Sequence, residues 1–155
     1  MMVERKVILI VEDNPDDEEL TLRALKQSHV FHQVIVVHDG EEALEYLFNG
    51  GGNSGQELHP LPQVMLLDLK LPKVSGFDVL KHVRNDPRTQ FLPVVIMTSS
   101  SEEEDIYTSY KLGANSYVRK PVEFQRFAEA VQQMGLYWLL INQVPPIPAK
   151  RAKPG

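Results

Sequence analysis

Apolar residues come in short, nearly continuous runs: Val7–Val11, Val34–Val37, Val64–Leu67 and Val94–Met97, with a weaker run at Tyr117–Val118. Valine, isoleucine and leucine follow one another without polar alternation. That pattern marks strands covered on both faces, as in a parallel sheet. Between the runs the spacing turns helical. The stretch 16–28 follows Pro15, a favoured first-turn residue. Asp39 to Glu42 reads as a capping box opening a helix through Phe48, and Ser75 to Asp78 caps another reaching about Asn85. Ser101 to Glu104 fits the Ser-x-x-Glu box and opens a helix ending near Leu112-Gly113. A last helix is predicted from Glu123 to Ile141. Strand then helix, five times over, predicts an α/β fold with a doubly wound parallel sheet. Asp39-Gly40 is also a hairpin dipeptide. The helical spacing of Ala43, Leu44, Leu47 and Phe48 favours a helix there.

Two segments are irregular. Residues 49–63 contain four glycines and two prolines and read as a long loop. Residues 145–155 carry four prolines and read as a flexible tail behind a single domain spanning 5–144. The 155-residue length suits one domain.

Composition narrows the function. Without cysteine there is no disulfide, thiolate metal site or cysteine nucleophile. A net charge of −5 opposes binding to a nucleic-acid backbone. No apolar run approaches a membrane span, and no signal peptide is evident at MMVERK, so a cytoplasmic protein is expected. The five histidines are scattered, and only His29 and His32 have helix-like spacing, which suits surface or cap residues better than metal ligands. Gly50 to Gly52 follow a helix rather than open one, so they read as flexible loop, not as a phosphate cradle. Lys150, Arg151 and Lys153 read as part of a solvated tail.

Ligands of open parallel sheets bind at the carboxyl ends of the strands. Glu12 and Asp13 follow the first run, Asp68 the third, Thr98 and Ser99 the fourth, and Arg119, Lys120 and Pro121 the fifth. In a parallel sheet all of these reach one rim. Crowded carboxylates resist ionising unless a cation compensates. Lys120 offers one positive charge, and an all-oxygen site suits Mg²⁺. Such a metal could hold a phosphoryl group against a carboxylate nucleophile. Asp16 and Asp17 read instead as a solvated helix start favoured by the macrodipole.

The motifs V-E-D-N-P-D-D, L-L-D-L-K-L-P-K-V-S-G, V-I-M-T-S and Y-V-R-K-P stand after the first, third, fourth and fifth strands. Together they resemble the receiver domain of two-component response regulators over roughly residues 5–135. The resemblance implies the flavodoxin-like strand order 2-1-3-4-5 and an aspartate phosphorylated by a histidine kinase. By position it makes Asp68 the phosphoacceptor. Glu12, Asp13, Asp68 and the Lys70 carbonyl become the Mg²⁺ ligands. Thr98 is the hydroxyl that moves onto the phosphoryl group, Lys120 its cationic partner, and Tyr117 the aromatic switch. The bond before Pro121 is expected to be cis. Self-phosphorylation and slow self-dephosphorylation of Asp68 would be its only chemistry.

The opening E-D-N-P-x-D, the long loop after the second helix, T-S-S-x-E-x-D and M-G-x-Y-W are similar to stand-alone receivers associated with phytochromes. That similarity admits a phytochrome as the kinase and signalling through protein contacts with no output domain. Two rivals fit worse. Haloacid-dehalogenase phosphotransferases place the nucleophile after the first strand with a second Asp two residues on, where this chain has Lys70 after the third. A flavin carrier needs a neutral Ser/Thr/Gly-rich first loop, where this chain has carboxylates.

The last helix carries one more expectation. Phe124, Phe127, Ala128 and Val131 form one stripe for the sheet, but Leu136 to Ile141 are consecutive apolar residues covering every face. A homodimer through Tyr137, Trp138, Leu140 and Ile141 is expected.

Overall fold

The computed structural model describes residues 7–28, 33–49, 59–120 and 123–135. Among these residues five strands alternate with five helices: β1 (Val7–Val11), α1 (Pro15–Ser28), β2 (Gln33–Val37), α2 (Gly40–Leu44), β3 (Val64–Leu67), α3 (Gly76–Asn85), β4 (Val94–Thr98), α4 (Glu103–Lys111), β5 (Ser116–Arg119) and α5 (Phe124–Gly135). Every strand pair is parallel and the order is β2-β1-β3-β4-β5. This is the flavodoxin-like arrangement.

Continuous apolar runs arise because the sheet has a core on each side. Leu9, Val11, Met65, Leu67, Val94 and Ile96 pack with residues of α2 and α3 on one face. Their neighbours Ile8, Ile10, Val64, Leu66, Val95 and Met97 pack with Ala24 and Leu25 of α1 and Ala128 of α5 on the other. The pleat sends successive side chains to opposite faces, so both sets must be apolar. β2 departs from the expectation: only Val37 is fully buried. It lies at an edge of the sheet and, among the described residues, pairs with β1 alone.

Two predicted caps form as expected. Asp39 accepts from the Glu42 N–H at 2.8 Å and Ser75 from the Asp78 N–H at 3.2 Å. Beyond Leu44 the helix widens into a π turn, Glu45–Asn49. The predicted Ser101–Glu104 box does not form. α4 starts one residue after Glu102, which makes no side-chain cap. Ser100 takes over instead: its hydroxyl accepts from the Glu102 N–H at 3.2 Å and donates to Asp105 at 2.6 Å. Leu47 and His59 flank the expected loop, and Arg88 donates to both of their carbonyls, at 2.6 and 2.9 Å. The glycines at 50–52, His29 and His32, the bond before Pro121, and everything past residue 135 lie outside the described residues. So do the side chains of Phe127 and Val131.

Candidate phosphoacceptor site

The ladder that builds the sheet also aims the site. Just past the strands, the Glu12 N–H donates to the Val37 carbonyl at 3.0 Å and the Asp68 N–H to the Val11 carbonyl at 3.2 Å. On the other side the Lys120 N–H donates to the Thr98 carbonyl at 2.7 Å. Backbone bonds between neighbouring strands thus carry Glu12, Asp68, Thr98 and Lys120 to one rim, as expected from the sequence.

Glu12, Asp13 and Asp68 bring one carboxylate oxygen each within 4.8 Å of one another. Glu12 and Asp68 are buried, while Asp13 is exposed. The Lys120 ammonium lies among them, 2.6 Å from Glu12 Oε1, 3.3 Å from Asp68 Oδ2 and 2.9 Å from Asp17 Oδ2. The sequence reads Asp17 as a solvated helix-start residue. The structure corrects that: its carboxylate joins the site from the first turn of α1. Asn14 makes this possible. Its side chain caps α1 by accepting from the Asp16 and Asp17 N–H groups at 2.9 and 3.0 Å, and its own N–H donates to Glu12 Oε2 at 3.1 Å. Asn before Pro at a helix start is a readable cap signal. The reach of Asp17 to a lysine 103 residues away leaves no local trace.

Burial pushes the Glu12 carboxyl up to about 7, and the neighbouring charge of Asp68 adds to this. The hydrogen bond and charge of Lys120 and the Asn14 N–H oppose it without cancelling it. Burial alone would lower the Lys120 pKa, but hydrogen bonds to Glu12 and Asp17 and the charges of Asp68 and Glu12 outweigh it and hold the ammonium above its usual range. Lys120 therefore stays charged at neutral pH.

Two further residues frame Asp68. The Lys70 N–H donates to Asp68 Oδ1 at 3.2 Å from the exposed loop after β3. Gly76 opens α3 directly against the Asp68 carbonyl, and a Cβ there would collide with that oxygen. The sequence motif contains Gly76, yet its reason is visible only in this approach. Thr98 is 1% exposed, and its hydroxyl has no hydrogen-bond partner among the described residues. Tyr117 is half-buried on the face carrying α2 and α3, and its hydroxyl donates to the Ser100 carbonyl at 3.0 Å. Burial raises its pKa.

The donor set fits a hard divalent cation. Glu12, Asp13 and Asp68 each offer a carboxylate oxygen within 4.8 Å of the others, and the ammonium is met by Glu12, Asp17 and Asp68. The excess negative charge is carried entirely by oxygen ligands.

Residues 8–132 match the response regulator receiver domain family. The chain belongs to that family. This receiver is similar to response regulator Rcp1 of Synechocystis sp., with 37% identity over 134 residues, 86% of this chain and 89% of the relative. Among solved structures, the Mn²⁺-bound form of response regulator Rcp1 superposes with a TM-score of 0.78 at 35% identity, covering 91% of this chain and 99% of that one. The phosphorylated cyanobacterial phytochrome response regulator RcpA superposes with a TM-score of 0.80 at 36% identity, covering 92% of this chain and 100% of that one. The chain is thus a two-component response regulator receiver resembling the phytochrome-associated ones. Among the described residues, no helix is long and apolar enough to cross a membrane.

Proposed function

We propose that Asp68 accepts a phosphoryl group from the phosphohistidine of a sensor kinase, with Mg²⁺ bound by Glu12, Asp13, Asp68 and the Lys70 carbonyl. One observation carries this reading. The Asp68 carboxylate, only 10% exposed, lies 3.3 Å from a charged lysine and within 4.8 Å of two more carboxylates. An Asp68 oxygen attacks phosphorus, the bond from phosphorus to the kinase histidine breaks, and the imidazole leaves with its electron pair. A divalent cation, when bound, supplies the charge neutralisation that lets an anionic carboxylate meet an anionic phosphoryl group. Lys120 offers its ammonium to the phosphoryl oxygens, and Thr98 brings a hydroxyl that has no partner among the described residues. Water then hydrolyses the acyl phosphate slowly. The receiver's own chemistry is confined to gaining and losing this group.

The switch reading rests on the same residues. A phosphorylated side chain carries about −1.5 to −2 charges, and Thr98 and Lys120 move to meet them. Tyr117 then transmits the shift to the loop before α4, where its hydroxyl already bonds Ser100. The likeness to RcpA supports a phytochrome as the kinase, and membership of the receiver family supports a cytoplasmic setting. The run Leu136 to Ile141 supports a homodimer through Tyr137, Trp138, Leu140 and Ile141 on sequence pattern alone.

Incubation with Mg²⁺ and a small phosphodonor such as acetyl phosphate tests the central claim. Acid-labile label should appear on the wild-type chain and vanish in Asp68→Asn. Undiminished label on the Asn variant would overturn the assignment.

A further inference from the structure

An ammonium has three N–H donors. Those of Lys120 have three acceptors: Glu12 at 2.6 Å, Asp17 at 2.9 Å and Asp68 at 3.3 Å. The lysine is saturated at rest. A phosphoryl group on Asp68 replaces one carboxylate oxygen by three terminal oxygens with more charge, and it competes for more than the single N–H that Asp68 now holds. One of the other bonds must yield.

The two candidates differ in how costly each is to break. The Glu12 side chain is 6% exposed and is held by Lys120 on one oxygen and by the Asn14 N–H on the other, so water has no ready access to replace the ammonium there. The Asp17 side chain is 36% exposed, so water can take the ammonium's place. Asp17 also stands on α1, outside the strand ladder that fixes Glu12, Asp68 and Lys120. Its contact can break without disturbing the sheet.

We propose that Asp17 is a positioning residue, a releasable latch that holds the Lys120 ammonium until a phosphoryl group on Asp68 draws it away. The inference rests on the phosphoacceptor reading above. A contact made only in the resting state opposes the phosphorylated state by its own strength. Removing it must therefore favour occupancy of the site, which is opposite to what loss of a merely supporting contact would do.

Calorimetric titration of the full chain with beryllofluoride, a non-covalent phosphoryl analogue, in saturating Mg²⁺ tests this. Asp17→Asn keeps the side-chain shape and removes the charge. It should bind beryllofluoride about two- to five-fold more tightly than wild type, the range expected for a partly exposed ion pair. Asp17→Glu should restore wild-type affinity. Asp16→Asn removes an equal charge one residue away, where no lysine contact is made among the described residues, and should have a smaller effect. An unchanged or weakened affinity in Asp17→Asn overturns the latch, as does an equal gain in Asp16→Asn. Failure of the wild type to bind beryllofluoride, with binding by Asp17→Asn also absent, overturns the phosphoacceptor reading and the latch with it.

Discussion

The Tyr117 hydroxyl donates a hydrogen bond to the Ser100 carbonyl at 3.0 Å, joining the outermost strand β5 to the loop after Thr98. Ser100 in turn anchors the start of α4 through Glu102 and Asp105. A movement of Thr98 therefore reaches both an aromatic ring and a helix start within two residues.

This connection predicts how the signal leaves the site. Moving a two-state population from 1:99 to 99:1 needs about 5.5 kcal/mol, which two or three charge-assisted hydrogen bonds of roughly 1.5–3 kcal/mol can supply. Thr98→Val removes a buried hydroxyl that has no partner among the described residues. Its resting stability in denaturant titration should match or exceed wild type. Phosphorylation should nevertheless no longer shift the Tyr117 ring resonances in NMR spectra. A full shift in the valine variant would break the proposed coupling.

Metal binding should discriminate between neighbouring carboxylates. Both Glu12 oxygens are engaged, one by Lys120 and one by the Asn14 N–H, whereas Asp13 is exposed and makes no such bond among the described residues. Asp13→Ala should weaken Mg²⁺ binding more than Glu12→Ala. Mg²⁺ at about 100 times its Kd stabilises a protein by about 2.7 kcal/mol, so thermal melts should rise by several degrees in wild type and far less in Asp13→Ala. Equal losses in the two variants would contradict this division of roles.

Gly76 should tolerate no side chain. A Cβ at this position collides with the Asp68 carbonyl, and overpacking of this kind costs about 1–3 kcal/mol. Gly76→Ala is expected to unfold at lower denaturant concentration and, where folded, to accept phosphate more slowly, because relief of the clash displaces Asp68. Wild-type stability together with wild-type phosphorylation rates would show the contact to be slack.

Association rests on the sequence past the described residues. Light scattering at tens of micromolar should report about twice the 17.6 kDa chain mass. A two-fold contact uses each residue twice, so a single Trp138→Asp change should return the monomer. A wild-type chain that stays monomeric with and without phosphorylation would end the proposal.

Much of this protein is legible in its amino-acid order. Strands β1, β3 and β4 are buried on both faces, so unbroken Val, Ile, Leu and Met runs announce them, and the first polar residues after each run belong to the rim. Position alone brings Glu12, Asp13, Asp68, Thr98, Ser99, Arg119 and Lys120 to the rim, because a parallel sheet puts every strand's carboxyl end there, and the family resemblance picks Asp68, Thr98 and Lys120 from among them. The Ser75 and Asp39 caps are equally readable, since each side chain bonds a backbone group three residues away.

Tertiary structure alone decided the features that depend on distance through space rather than along the chain. Strand order makes β2 an edge, which is why its run is only partly buried. Ser100 rather than Ser101 secures α4 because Tyr117 and Asp105 hold the Ser100 carbonyl and hydroxyl in place. Above all, Asp17 reads locally as a helix-start carboxylate and becomes a partner of Lys120 only when the sheet brings the ends of β1 and β5 to one rim. Local sequence determines period, burial and capping; which charges meet is set by the packing of elements that lie far apart in the chain.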